Sequence, residues 1–147
     1  MQTANKKYLD PKENRNFYST SDGAYMPEQF VTVAHQFLPR LKWVREWIHT
    51  NGYRTTLDVG CKDGYLGLTI ASEGRDYVGI DPSTDAIERA KQLAHKYSLD
   101  CQYINAFFED YELKYDEVIR KQGRYECVVC TEVIEHVVDL DSFMEKL

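Results

Sequence analysis

No stretch of about 18 consecutive apolar residues occurs in this sequence, so no membrane-spanning helix is expected. The opening segment, MQTANKKYLDPKENRN, lacks the apolar core of a secretory signal, which points to the cytoplasm. Internal repeats and low-complexity tracts are missing as well. There is no overall excess of positive charge: the net charge is −6. Residues 1–54 carry 8 Lys/Arg against 5 Asp/Glu, while residues 55–147 carry 10 against 19. An acidic body disfavours non-specific nucleic-acid binding. The basic arm with Lys6, Lys7, Lys12 and Arg15 leaves a specific RNA contact open beside the plainer alternative of a solvated tail.

Two phosphate-binding fingerprints are also wanting. Gly60-x-x-x-Gly64-Tyr65 has neither the spacing of a P-loop nor its Lys-Ser/Thr pair. The dinucleotide pattern G-x-G-x-x-G would need glycine at 60, 62 and 65, where the chain has Gly60, Lys62 and Tyr65. A nicotinamide-dependent oxidoreductase is disfavoured on that ground.

What is present fits one soluble globular domain: 147 residues, 43% hydrophobic and 29% charged, enough to bury a core. Residues 1–27 are polar and aromatic with little periodicity and read as an arm or lid, with Tyr18, Tyr25 and Phe30 as candidate lid aromatics; residues 28–147 read as the domain. From Glu28 to Thr50 the apolar spacing is helical, and Pro39 is expected to split the segment into two helices, with Asn51-Gly52 closing the second. Strands are expected at Thr56–Val59, Tyr77–Ile80, Cys101–Ile104 and Tyr125–Cys130. Helices are expected from the glycine turn to Ser72, over Thr84–Tyr97, over Tyr115–Lys121, and from Asp139 or Asp141 onward. Strands alternating with helices imply an α/β fold with a parallel sheet, in which ligands settle beyond the strands' carboxyl ends.

The cysteines are Cys61, Cys101, Cys127 and Cys130. Cys127 and Cys130 fall within a predicted strand, where residues three apart point to opposite faces and cannot grip one metal. They read as reduced, buried thiols.

The candidate functional residues all follow strand ends. "LDVGCKDG" (57–64) places Asp58, Gly60, Lys62 and Gly64 around a tight turn. Asp81 ends the second strand, 21 positions after Gly60, as a strand-turn-helix-strand unit requires. Its carboxylate suits a ribose diol, or caps the next helix. Asp58 would meet an ammonium or simply order the loop. Glu132, Glu135 and His136 would share one face if the turn after the fourth strand is helical, which opens a divalent-metal reading. His136 would also suit a general base or a structural role.

In order and spacing, "LDVGCKDG", "VGIDPS", "INAF" and "YECVVCTEVIEHV" resemble the four motifs of class I S-adenosylmethionine-dependent methyltransferases. The resemblance spans residues 55–147 and implies a Rossmann-like α/β/α sandwich with strand order 3-2-1-4. It implies S-adenosylmethionine as the cofactor, with Asp58, Gly60, Cys61, Lys62, Gly64, Asp81, Pro82, Asn105, Ala106 and Cys130 at the cofactor and His136 in catalysis. Asp81 would hold the ribose hydroxyls and Asn105 the adenine amino group. Lys62 departs from the family's glycine: its side chain either points outward or offers its ammonium to the cofactor's carboxylate.

The last motif is similar to those of ubiquinone-type O-methyltransferases and of small-RNA 2′-O-methyltransferases. The latter add a further histidine downstream, and none follows His136 here. A fourth metal ligand thus has no candidate after His136 in this sequence; a small-molecule or other hydroxyl-bearing acceptor is expected, with RNA as the alternative. Family members continue with further strands, so the chain is expected to be either the cofactor-binding portion of a longer enzyme or a module whose fourth-strand edge a partner chain covers.

Overall fold

The computed structural model describes residues 27–113 and 116–147, with side chains from residue 39 onward. Tyr18, Tyr25 and most of the predicted arm lie outside the described residues, as does the side chain of Phe30.

The chain opens with α1 (Pro27–Thr50), a single helix with Pro39 inside it. The expected break at Pro39 does not occur. A proline in a helix removes one hydrogen bond and crowds the preceding turn. Here Pro39 is exposed, while Val44 and Ile48 one and two turns beyond are buried in the core, so packing carries the helix past the defect.

Four α/β repeats follow. They are β1 (Thr55–Val59) with α2 (Tyr65–Ser72), β2 (Asp76–Asp81) with α3 (Thr84–Lys96), β3 (Gln102–Asn105) with α4 (Glu117–Gln122), and β4 (Cys127–Cys130) with α5 (Leu140–Lys146). Short 3-10 turns cover Phe108–Asp110 and Ile134–His136. Caps set the helix starts. Ser83 rather than Asp81 caps α3, Asp116 accepts the N–H groups of Val118 and Ile119, and Asp139 accepts that of Ser142. Asp116, not Tyr115, therefore marks the start of α4.

All strand pairs are parallel, in the order β3-β2-β1-β4. This is the expected arrangement, with β3 starting one residue late and β4 shorter than the predicted Tyr125–Cys130. β1 is buried along its whole length because the sheet is covered on both faces. Alternation along the strands sends Leu57, Val59, Val78 and Ile80 into one core with Phe108, Val118 and Phe143. Tyr77 enters the other core, with Val44, Ile48, Leu66, Ile70, Ile87 and Ala90 from α1, α2 and α3. Cys127 packs on this second core and Cys130 on the first, so the two thiols do lie on opposite faces. Both are free and half-buried rather than fully enclosed. Among the described residues no helix is long and apolar enough to cross a membrane.

Candidate functional site

Parallel strands end together, and the loops that follow β1, β2, β3 and β4 meet at one edge of the sheet. The turn after β1 stays fastened to the neighbouring strand: the N–H groups of Gly60 and Cys61 both donate to the Ile80 carbonyl, at 2.8 and 3.1 Å. Gly60 has φ +80°, and a β-carbon on it would lie 2.3 Å from Val133 Cγ2. Only glycine meets both demands, the left-handed backbone and the valine seated against it.

Lys62 is also left-handed, with φ 47°. The glycine of the family pattern has thus been replaced without changing the conformation that glycine favours. Its N–H donates to Asp81 Oδ2 at 2.9 Å, and the N–H of Ser83 donates to Asp81 Oδ1 at 2.9 Å. Each carboxylate oxygen therefore holds one main-chain donor and keeps further acceptor capacity. Burial pushes the Asp81 carboxyl up, and the two N–H groups and the Lys62 cation draw it back. Burial lowers the Lys62 ammonium, opposed by Asp81 and Asp63.

The turn after β4 crosses this loop at Gly60 and leaves a cleft on each side. The first is lined by Gly60, Lys62, Asp81, Pro82, Ala106 and Phe108, with Val133, His136 and Phe143 opposite. The second is lined by Arg40, Asp58, Gly60, Cys61 and Lys62, with Thr131, Glu132 and His136 opposite. Gly60, Lys62, Glu132 and His136 belong to both.

Asp58 sits in the second cleft, 5% exposed, and accepts a 2.6 Å hydrogen bond from the Tyr77 hydroxyl. Burial pushes its carboxyl up to about 7, against the pull of that hydrogen bond and with a push from Asp81. A carboxyl poised there ionises readily once a cation arrives. Burial also pushes the Cys61 thiol well up, which makes it an inert wall and not a nucleophile.

Three predicted positions stand outside both clefts. Gly64 makes room for Tyr103, whose hydroxyl donates to the Gly64 carbonyl at 2.9 Å; a β-carbon there would lie 2.5 Å from that hydroxyl. Asn105 donates through Nδ2 to the Asp81 carbonyl at 3.0 Å and accepts from the Thr84 hydroxyl at 2.9 Å, so its side chain ties the tips of β2 and β3 together. Cys130 packs beneath the site, in the core with Leu57 and Val59.

The shared face predicted for Glu132, Glu135 and His136 does not form. Glu132 has φ 57° and stands before the 3-10 turn that holds the other two. It pairs with Arg40 at 2.6 Å, while His136 Nε2 is 4.0 Å from Glu135 Oε1. Among the described residues no three His, Cys, Asp or Glu side chains gather as a metal would require.

Arg40 was missed from sequence because it belongs to a different element from every motif. It reaches the site from α1, 92 positions before its partner. The available signal was a charge in the otherwise apolar stripe of Leu41, Val44 and Ile48. Tyr77 and Val133 were missed because, in sequence, they read as core residues.

The fold is an α/β domain of the Rossmann-like kind, the class that binds a cofactor beyond the carboxyl ends of its strands, and both clefts lie at that edge. The pattern of the methyltransferase domain family matches residues 57–147, and the chain belongs to that family. A ubiquinone biosynthesis O-methyltransferase from Paraburkholderia xenovorans (strain LB400) is 34% identical over 139 residues, covering 92% of this chain and 56% of that protein. One from Rickettsia akari (strain Hartford) is 30% identical over 145 residues, covering 95% and 55%. The chain thus spans about half the length of the curated relatives it matches. Magnesium protoporphyrin IX methyltransferase from Synechocystis PCC 6803, solved with bound SAM, superposes with a TM-score of 0.63 at 18% identity, over 95% of this chain and 65% of that one. That likeness shows the shared fold.

Proposed function

We propose that this chain binds S-adenosylmethionine and forms the cofactor-binding part of an enzyme that methylates a hydroxyl oxygen on a small molecule. The observation that carries this is the Asp81 carboxylate, anchored by two main-chain N–H groups at the tip of β2 and lining the first cleft. Its remaining acceptor capacity matches the two hydroxyls of a ribose. Pro82, Ala106 and Phe108 supply apolar walls for a base. In the second cleft an amino-acid end would find Asp58 for its ammonium, and Arg40 and Lys62 for its carboxylate. Gly60 and Lys62 line both clefts, so a ligand that spans them would place its sulfur beside the Gly60 turn.

Bound there, the sulfonium would supply an already activated methyl group, so little acid–base chemistry is asked of the protein. The residues orient the acceptor and exclude water. His136 lines both clefts and would accept the proton of the acceptor hydroxyl. The ubiquinone-type relatives favour a small-molecule hydroxyl over the 2′-hydroxyl of an RNA as the acceptor. Retention within the cytoplasm belongs to the same proposal, with a partner chain at the β4 edge as the alternative to a longer enzyme of which this chain is part.

The test is thermal stabilisation by S-adenosylmethionine, S-adenosylhomocysteine and NAD. A ligand that binds the folded state raises the melting temperature. Stabilisation by the first two and none by NAD is expected; the reverse pattern overturns the proposal. Methyl transfer to phenolic acceptors, by the chain alone or within a longer protein, then separates an enzyme from a non-catalytic module.

A further inference from the structure

The second cleft holds one carboxylate that is already doing what a ligand's carboxylate would do. Arg40 Nη1 lies 2.6 Å from Glu132 Oε1, and both side chains line the cleft beside Gly60 and Lys62. The pair is partly open to water, with side-chain exposures of 32% for Arg40 and 59% for Glu132, so it exchanges with solvent-borne anions at low cost. The backbone beneath Glu132 is the left-handed one, φ 57°, an uncommon conformation for a residue with a side chain. It turns the chain so that the next residue, Val133, sits against Gly60, where the two clefts meet. Charge, backbone and placement therefore converge on the same residue.

We propose that Glu132 is an internal competitor: its carboxylate and that of an amino-acid-bearing ligand compete for Arg40, and the ligand displaces it on binding. The proposal rests on the cofactor reading given above and adds a residue that sets affinity. The exchange is isoelectric at Arg40, one carboxylate for another, so the guanidinium is never left without an anion. Glu132, once released, moves into water. A ligand without a carboxylate gains nothing from the exchange and leaves the pair intact. Glu132 would thus make the site discriminate by the amino-acid end and lower its affinity for carboxylate ligands.

Calorimetric titration of the whole chain with two probes tests this: S-adenosylhomocysteine, which has the carboxylate, and 5′-methylthioadenosine, which lacks it. Glu132→Gln removes the competing charge and is expected to tighten S-adenosylhomocysteine about two- to fivefold, the range of an exposed ion pair, while leaving 5′-methylthioadenosine unchanged. Glu132→Gly, which prefers the same positive φ, is expected to tighten S-adenosylhomocysteine similarly and keeps the test valid if the glutamine variant folds poorly. Unchanged or weaker S-adenosylhomocysteine binding in both variants overturns the competitor, and so does equal tightening of both probes. Failure of the wild-type chain to bind either probe overturns the cofactor reading instead.

Discussion

The two clefts that meet at Gly60 are fastened by different means. In the first, Asp81 is fixed by main-chain donors from Lys62 and Ser83, on a strand tip buried on both faces. In the second, the charged groups are held by side chains: Arg40 by Glu132 from across the fold, and Asp58 by the Tyr77 hydroxyl. A group held by backbone is in place before a ligand arrives and loses little freedom on binding. A group held by another side chain can change partners. The first cleft is therefore the preorganised half, suited to a rigid nucleoside, and the second is the adjustable half, suited to a flexible charged tail.

The contrast breaks most severely at the junction. Gly60→Ala places a β-carbon against Val133 Cγ2 on a left-handed backbone, and a loss of about 2–4 kcal/mol of stability is expected in denaturant titrations. Adding Val133→Ala should recover the steric share alone, leaving the backbone share. Full recovery would show that the φ angle costs nothing.

Next in size is Asp81→Ala. A hydrogen bond to a charged group contributes about 1.5–3 kcal/mol, so S-adenosylhomocysteine should bind at least tenfold more weakly by calorimetry. If the first cleft is the preorganised one, this loss should exceed that of Arg40→Met. The opposite ranking would reverse the assignment of the two halves.

The pH dependence sharpens the adjustable half. Asp58 titrates near 7 in the folded chain, against 3.8 for the unperturbed group. The folded state then holds a proton that the unfolded state has released, so this group lowers stability as pH rises from about 4 to 7, by at most about 1.4 kcal/mol per pH unit. Ligand binding runs the other way, because an ionised Asp58 meets an ammonium better. S-adenosylhomocysteine affinity should therefore rise from pH 6 to 8, and Asp58→Asn should flatten both trends. Burial, then the hydrogen bond from Tyr77 and the charge of Asp81, set where the change falls.

The smallest effect is expected from Tyr77→Phe, which removes the hydrogen bond that draws Asp58 down. The midpoint of the affinity–pH curve should move upward, and stability should fall by about 1 kcal/mol. A midpoint that stays where it was would mean that Tyr77 supports packing alone.

Much of the fold was legible because its signals are local. Periodicity marked each strand and helix, and the turn at Gly60 and the acid ending β2 announced themselves by residue type and spacing. The misses share one cause. Pro39 was read as a break because its local penalty is visible in sequence, while the core contacts of Val44 and Ile48 that outweigh it are not. The contacts of Asn105 with the tip of β2 and of Gly64 with Tyr103 were likewise invisible, because each joins residues of different elements.

Residue order by itself determined that β-strands and helices alternate, that the sheet is parallel, and that Asp58, Gly60 and Asp81 gather where the strands end. These follow from hydrophobic period and from the chain's need for crossover connections, which leave few alternatives. Tertiary structure alone decided that Arg40 meets Glu132, that Val133 lies on Gly60 and that Tyr77 restrains Asp58. Those contacts join residues from different elements, and their geometry depends on how helices lie on the sheet, a quantity no local pattern encodes.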